Sequence, residues 1–292
     1  MACHISIIIP TYKSTDLLKK CLALIEQQTY KKELFEVIVV NNDPDNALVL
    51  PSYNINLTVY LEKKKGSYAA RNAGVNKAKG EILVFTDDDC MPSVNWLEEI
   101  DSWYSQERYQ EKCSSILVGQ VDMVHSEGTE ARRWNVWECY DYLFGINQDI
   151  YAKRNEGATA NLSVSRRIFD DLGGFNDQML SGGDGDFCQR AFKSGYSIKY
   201  DPSILVRHPL RGTGEAIKLK LKRLVGGKFK KNKYKSAVLS FAPPLVRLAI
   251  VFRKKAPLNV KLKASCCLFY LKGYQVVYYF KLLLGFSEFE RR

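Results

Sequence analysis

Ile82-Leu83-Val84-Phe85-Thr86-Asp87-Asp88-Asp89 is the stretch that decides how this sequence folds. Four apolar residues in a row, cut off by three carboxylates, read as a short strand buried on both faces. Three runs of the same kind precede it: Ile5 to Ile9, closed by Pro10, then Phe35 to Val40, then Leu57 to Leu61. Between them the period changes. From Ser14 to Gln28, residues Leu17, Leu18, Cys21, Leu22 and Ile25 recur at helical spacing behind Ser14 as an N-cap, and a second helix is expected between Ser67 and Lys79. Strand, helix, strand in regular order requires parallel pairing through crossovers. The first third of the chain therefore reads as a doubly wound α/β sheet with helices on both faces.

Ligands of such sheets bind beyond the carboxyl ends of the strands. Those ends carry Pro10-Thr11-Tyr12, Asn41-Asn42-Asp43 and Thr86-Asp87-Asp88-Asp89. Adjacent carboxylates repel and raise one another's pKa, and a bound cation relieves the repulsion. Asp87 and Asp89, two apart on an extended loop, point the same way and can share one divalent ion; Mg²⁺ or Mn²⁺ suits oxygen ligands. An Asp-rich surface turn would look the same, so the triplet does not decide alone.

Residues 106–211 are more mixed. A strand is expected from Ile116 to Val121. The aromatic stretch from Trp134 to Phe144 reads as a core face, with stacking on sugar rings or lipid as the alternative, and Gly157 to Asn161 leads to another helix. Gly182-Gly183-Asp184-Gly185-Asp186 opens a helix that Gly195 closes, and Ile198 to Tyr200 and Ile204 to Val206 read as two final strands. Behind Gly173-Gly174-Phe175, Asp184 would face the cleft as an acceptor or general base, although an acidic N-cap is the commoner reason for such a residue.

Pro10-Thr11-Tyr12, the strand end at Asn41-Asn42, Ala70-Arg71-Asn72-Ala73-Gly74, Thr86-Asp87-Asp88-Asp89 and Gly183-Asp184-Gly185-Asp186 occur in an order and spacing that resembles the family 2 glycosyltransferases over roughly residues 3–211. The resemblance implies a GT-A type, Rossmann-like mixed sheet, with Thr11 and Asn42 lining the nucleoside pocket and Arg71 near the donor diphosphate. It also implies that Asp87 and Asp89 form the D-x-D pair, Asp87 and Asp88 belonging to the donor-binding set and Asp89 ligating the metal directly. His208, after the strand ending at Val206, would be a third metal ligand, and Asp184 the catalytic base. Gly183 stands where the family's base motif usually has Glu, and Asn42 where a base-reading Asp often stands. The implied reaction is an inverting single displacement on a nucleotide-diphosphate sugar, UDP by resemblance, needing Mn²⁺ or Mg²⁺ and a saccharide or lipid-linked acceptor. His4 and His125 read as structural.

The 292 residues are 46% hydrophobic and 26% charged, which excludes a disordered chain. Net charge is +11, yet residues 212–292 hold 19 of the 43 basic residues and three of the 32 acidic ones. A slightly acidic body, residues 1–211, is thus joined to a basic, mostly helical extension, residues 212–292. In the extension Ile217, Leu221, Leu224 and Val225 share a helical face among lysines, and Ala264 to Phe286 mixes Tyr, Phe and Leu with Lys. Both patterns suit an anionic membrane surface better than nucleic acid. The eight cysteines show no framework or zinc spacing, Met-Ala-Cys-His runs directly into the first strand without a signal peptide, and every uncharged run is too short to span a bilayer. These features lead to the expectation of a cytoplasmic enzyme held peripherally at the inner face of the cell membrane. A nucleotidyltransferase is disfavoured by Pro10-Thr11-Tyr12 where a Gly-rich phosphate loop would stand, and a nucleic-acid-binding protein by the unexplained aspartates.

Overall fold

The computed structural model describes residues 4–109, 114–125, 130 and 133–290. The first three residues and Cys113 lie outside the described residues; the other six cysteines are free thiols. Eight strands form one sheet: β1 (Ile5–Thr11), β2 (Phe35–Asn41), β3 (Leu57–Leu61), β4 (Ile82–Phe85), β5 (Met91–Pro92), β6 (Ser115–Val124), β7 (Leu162–Ser165) and β8 (Ser197–Pro209), in the order β3-β2-β1-β4-β7-β6-β8-β5. β3, β2, β1 and β4 are mutually parallel; β7 runs antiparallel to both β4 and β6, and β6 pairs parallel with β8.

β1, β2 and β4 are buried along their whole length because helices cover both faces. Ile5, Ile7, Ile9, Val37 and Val39 face α1 (Thr15–Glu26) and α3 (Trp96–Tyr109). On the other face Ile8, Ile38, Val40, Leu83 and Phe85 meet α2 (Ser67–Val75), α6 (Arg166–Asp171) and α7 (Gly183–Lys193). The close approach of α2 to β1 depends on Gly74, where a Cβ would stand 2.7 Å from Ile8 Cγ2.

Four local readings are corrected. Ser14 occupies the N-cap of α1 but makes no capping bond; its hydroxyl donates to the Tyr12 carbonyl at 3.2 Å instead. Gly157 to Asn161 leads first into β7, and the helix α6 follows. The two final strands are one, β8, with an irregularity against Gly119 and Gln120 of β6. The apolar face of the basic helix, read as free, packs inward on other helices of the chain.

The aromatic stretch forms α4 (Val136–Phe144), entered through a complete capping box between Asn135 and Glu138. It is the seat of the C-terminal helices α8 (Gly214–Lys231), α9 (Lys233–Phe241), α10 (Leu245–Arg253) and α11 (Leu258–Leu283). Cys139 and Leu143 pack against Val251, Val260 and Ala264, while Tyr140 packs with Ile217 and Leu221 of α8 and with Cys267, Leu268 and Leu271 of α11. Ile217, Leu221 and Val225 are thereby turned inward, while α9, α10 and α11 carry exposed large apolar side chains such as Val238, Leu245, Val246 and Leu258. Among the described residues no single helix is long and apolar enough to cross a membrane; α9 and α10 reach that length and composition only together, bent by 58°.

Candidate active site

Each strand of the parallel half delivers its functional residues at its carboxyl end. β1 ends in Thr11, whose hydroxyl donates to Asp88 Oδ2 at 2.7 Å, and Asp88 is fully buried. The middle aspartate therefore anchors the triplet to β1, and its neighbours are turned outward. Arg71, at 3% exposure on α2, donates to Asp87 Oδ1. Asp89 Oδ1 is buried without a hydrogen-bond donor and faces His208 Nε2 at 3.5 Å.

His208 reaches this point from β8. Its Nδ1 lies 2.8 Å from the Pro209 carbonyl, an acceptor, so Nδ1 carries a proton and Nε2 is the ring atom turned towards Asp89. A backbone carbonyl behind the other ring nitrogen is how ligating histidines are commonly oriented. Single ligand atoms of Asp87, Asp89, Cys90 and His208 all lie within 4.8 Å of one another. Cys90 was not anticipated from the sequence. Burial pushes its thiol well above its ordinary pKa, and its Sγ is 3.7 Å from the Ala160 carbonyl, so it donates there as a neutral thiol. The set left for a metal is two carboxylates and one imidazole, which fits Mn²⁺ or Mg²⁺ in donor type.

Asp184 lies in the first turn of α7, behind Gly182, whose φ of 77° sets the tight entry. Its Oδ1 accepts from the Tyr68 hydroxyl at 3.2 Å and from the Gly185 amide at 3.0 Å, and Oδ2 from the Thr159 amide at 3.4 Å. Burial pushes the Asp184 carboxyl above its usual range, against the pull of Arg71. Tyr68 also escaped the sequence reading. Burial raises its hydroxyl too, which keeps it a donor, and its ring lies under the Arg71 guanidinium at 5.9 Å. The signal was present: Tyr68 precedes Arg71 by three residues and so shares its helix face.

Thr11, Asn42, Pro10, Tyr12 and Ser67 line a narrow cleft beside the triplet. Asn42, however, has both amide hydrogens engaged by the Glu62 and Lys64 carbonyls at 2.8 and 2.9 Å, and its Oδ1 accepts from Gly66 at 2.8 Å. It fastens the loop before α2. His125 pairs with Glu138 at 3.0 Å and His4 with Asp101 at 3.0 Å, both away from the mouth.

A second charged cluster lies where α4 meets α8. Asp141, at 1% exposure, accepts from the Arg211 amide and guanidinium at 3.1 Å and from Lys220 at 3.3 Å. Burial alone would raise its carboxyl, but Lys220 and Arg211 outweigh that and hold it below the ordinary range. Lys220 is the second cation on one carboxylate, and burial and Arg211 push it down to about 8.

A doubly wound sheet with an acidic mouth, closed by an antiparallel strand and a late histidine-bearing strand, is the architecture of the GT-A glycosyltransferases. The sequence profile described as Glycosyl transferase family 2 matches residues 6–173, and the chain belongs to that family. Glycosyltransferase AglE of Haloferax volcanii is 34% identical over 221 residues, covering 73% of this chain and 69% of the relative. An uncharacterized glycosyltransferase of Bacillus subtilis, YwdF, is 26% identical over 72% of this chain and 76% of its own. Among solved structures, the mannosyltransferase PcManGT from Pyrobaculum calidifontis, in complex with GDP-Man and Mn²⁺, superposes with a TM-score of 0.59 at 19% identity over 98% of this chain and 89% of that one. S. aureus TarS with UDP-GlcNAc gives 0.56 at 14% identity over 97% of this chain and 73% of that one. These two likenesses bear on the fold alone.

Proposed function

We propose that this glycosyltransferase is an inverting, divalent-metal-dependent enzyme that moves a sugar from a nucleotide diphosphate, UDP in the first instance, to a hydroxyl of a saccharide or lipid-linked acceptor. The observation that carries the reading is Asp89 Oδ1, buried without a hydrogen-bond partner, 3.5 Å from His208 Nε2 and within 4.8 Å of a ligand atom of Asp87. Asp87, Asp89 and His208 would hold Mn²⁺ or Mg²⁺. Bound there, the ion would neutralise the donor diphosphate and make it a better leaving group.

The rest follows from the chain's own residues. Thr11 fixes Asp88, and so the triplet, while Arg71 restrains Asp87 and adds positive charge beside the diphosphate. Asp184 takes the proton of the acceptor hydroxyl as that oxygen attacks the anomeric carbon on the face opposite the leaving diphosphate. One displacement inverts the configuration, and no covalent enzyme intermediate is needed. The raised Asp184 pKa brings the base nearer neutrality, and Tyr68 and two backbone amides hold its orientation.

In the same reading the enzyme works at the inner face of the cell membrane, with α9 to α11 against the lipid and no nucleic-acid partner. Exposed Val238, Phe241, Leu245, Val246 and Phe252 support this, beside the basic charge of the same region. Calorimetric titration of UDP with and without Mn²⁺ tests the core of the proposal. Binding that needs the metal in the wild type and disappears in Asp89→Ala is expected; UDP affinity indifferent to both would reduce the triplet to a surface turn.

A further inference from the structure

Between α8, the α9–α10 corner and α11 lies a cavity of about 270 Å³ that the transferase chemistry does not use. Its walls are mostly apolar, among them Leu221, Leu224, Leu239, Pro243, Leu268 and Leu271. Three cations enter it from three different helices: Lys228 from α8, Arg247 from α10 and Lys272 from α11. No carboxylate is among its lining residues. Arg247 donates to the Tyr140 hydroxyl at 2.9 Å and Lys272 to the Leu239 carbonyl at 2.6 Å, so the partners recorded for these two are neutral acceptors.

Lys228 and Arg247 are exposed at the rim of the cavity and Lys272 is half-buried, so three like charges from three helices meet around one opening. Partial burial lowers the affinity of Lys228 and of Lys272 for their protons, and Arg247 lowers both further. An anion between them relieves that repulsion.

The cavity is open on a definite side. Leu239 and Val246 line it and are themselves 49% and 77% exposed, on the two arms of the bent α9–α10 pair that carries the exposed apolar side chains. A chain leaving the cavity at this corner would run along apolar surface. Tyr151 lies within electrostatic reach of both Arg247 and Asp184, so one cation of the cavity stands on the side of the molecule that holds Asp184.

We propose that this cavity binds the phosphate of a long-chain lipid phosphate, with Lys228, Arg247 and Lys272 around the phosphate and the first part of the chain against the apolar walls, leaving through the α9–α10 corner. Building on the reading of a lipid-linked acceptor, the occupant is the phosphate-bearing end of that acceptor, which places its sugar hydroxyl towards Asp184.

Titration of the intact protein with dodecyl phosphate, below its micelle-forming concentration, tests the site without turnover. Wild type should bind it at least ~10-fold more tightly than inorganic phosphate, which lacks the apolar chain, and than a neutral dodecyl glycoside, which lacks the charge. Lys228→Gln with Lys272→Gln should lose at least that factor, and Lys228→Arg with Lys272→Arg should retain it, both with an unchanged melting temperature. Equal affinity for inorganic phosphate or for the neutral glycoside overturns the proposal, as does a Gln pair that binds dodecyl phosphate normally but no longer floats with phosphatidylglycerol vesicles, which would make these lysines a bilayer contact only. Metal-dependent UDP binding is measured in the same samples. Its absence in the wild type would sink the catalytic reading and leave the lipid-phosphate result standing on its own.

Discussion

The mouth of the sheet and the junction of α4 with α8 each set a carboxylate beside an arginine, half-buried at the mouth and buried at the junction, yet the chain completes one and leaves the other open. At the junction, Asp141 is met by Arg211 and Lys220, and nothing further is required. At the mouth, Arg71 holds Asp87, while Asp89 Oδ1 has no hydrogen-bond partner and faces His208 Nε2. The helical cavity gathers three cations at its rim with no carboxylate among its lining residues. A buried charge that is balanced holds a fold together; a polar atom buried without a partner marks a place for a ligand.

If that distinction holds, the largest effect comes from the open site. Asp184→Asn keeps the shape but cannot accept a proton, so turnover should fall ~10²- to 10⁴-fold, about 3–5 kcal/mol of barrier, with nucleotide binding preserved. In the wild type the base form exists only above a pKa that burial has raised, so kcat/KM should decline on acidification at a higher pH than an ordinary aspartate gives. Near-normal turnover, or the same acid decline in Asp184→Asn, would make Asp184 merely a helix-start residue.

The closed site should answer in stability. Asp141→Ala strands two cations and should cost about 3 kcal/mol, lowering the melting temperature by roughly 5–10 °C while the isolated chemistry of the mouth persists. The sign with pH is fixed as well. The Asp141 carboxyl is held below its unfolded value of 3.8, so its contribution is fully present above that pH and disappears as pH falls through the lower folded value. An unchanged melting temperature would place Asp141 with the ligand-binding charges.

The smallest effect is at Ser14. A capping serine is worth about 1 kcal/mol, but Ser14 makes no capping bond, so Ser14→Ala should move the denaturation midpoint by no more than a few tenths of a kcal/mol.

Much of the parallel half was legible because burial on both faces leaves continuous apolar runs, and the strands ending at Thr11, Asn41 and Phe85 fall where those runs stop. The triplet and Asp184 could be located for the same reason: strand ends and glycine-marked helix starts are local features. What escaped depends on contacts distant in sequence. β7 is four residues long and is set by antiparallel neighbours on both sides. The role of Asn42 rests on carbonyls twenty and twenty-two residues away. The basic helix was legible as amphipathic, but not what its apolar face would meet, because α4 and a membrane offer that face the same chemistry.

Asp141 and Lys220 are 79 residues apart. At ~5–20 residues per second, a ribosome needs roughly 4–16 s to make the chain between them. Throughout that interval α4 exists with a buried-type aspartate and an apolar stripe that have no cover, and for nearly as long the acidic mouth has no His208. Of the residues gathered at the mouth, His208 is therefore the last to be made, shortly before the helices that carry exposed apolar surface.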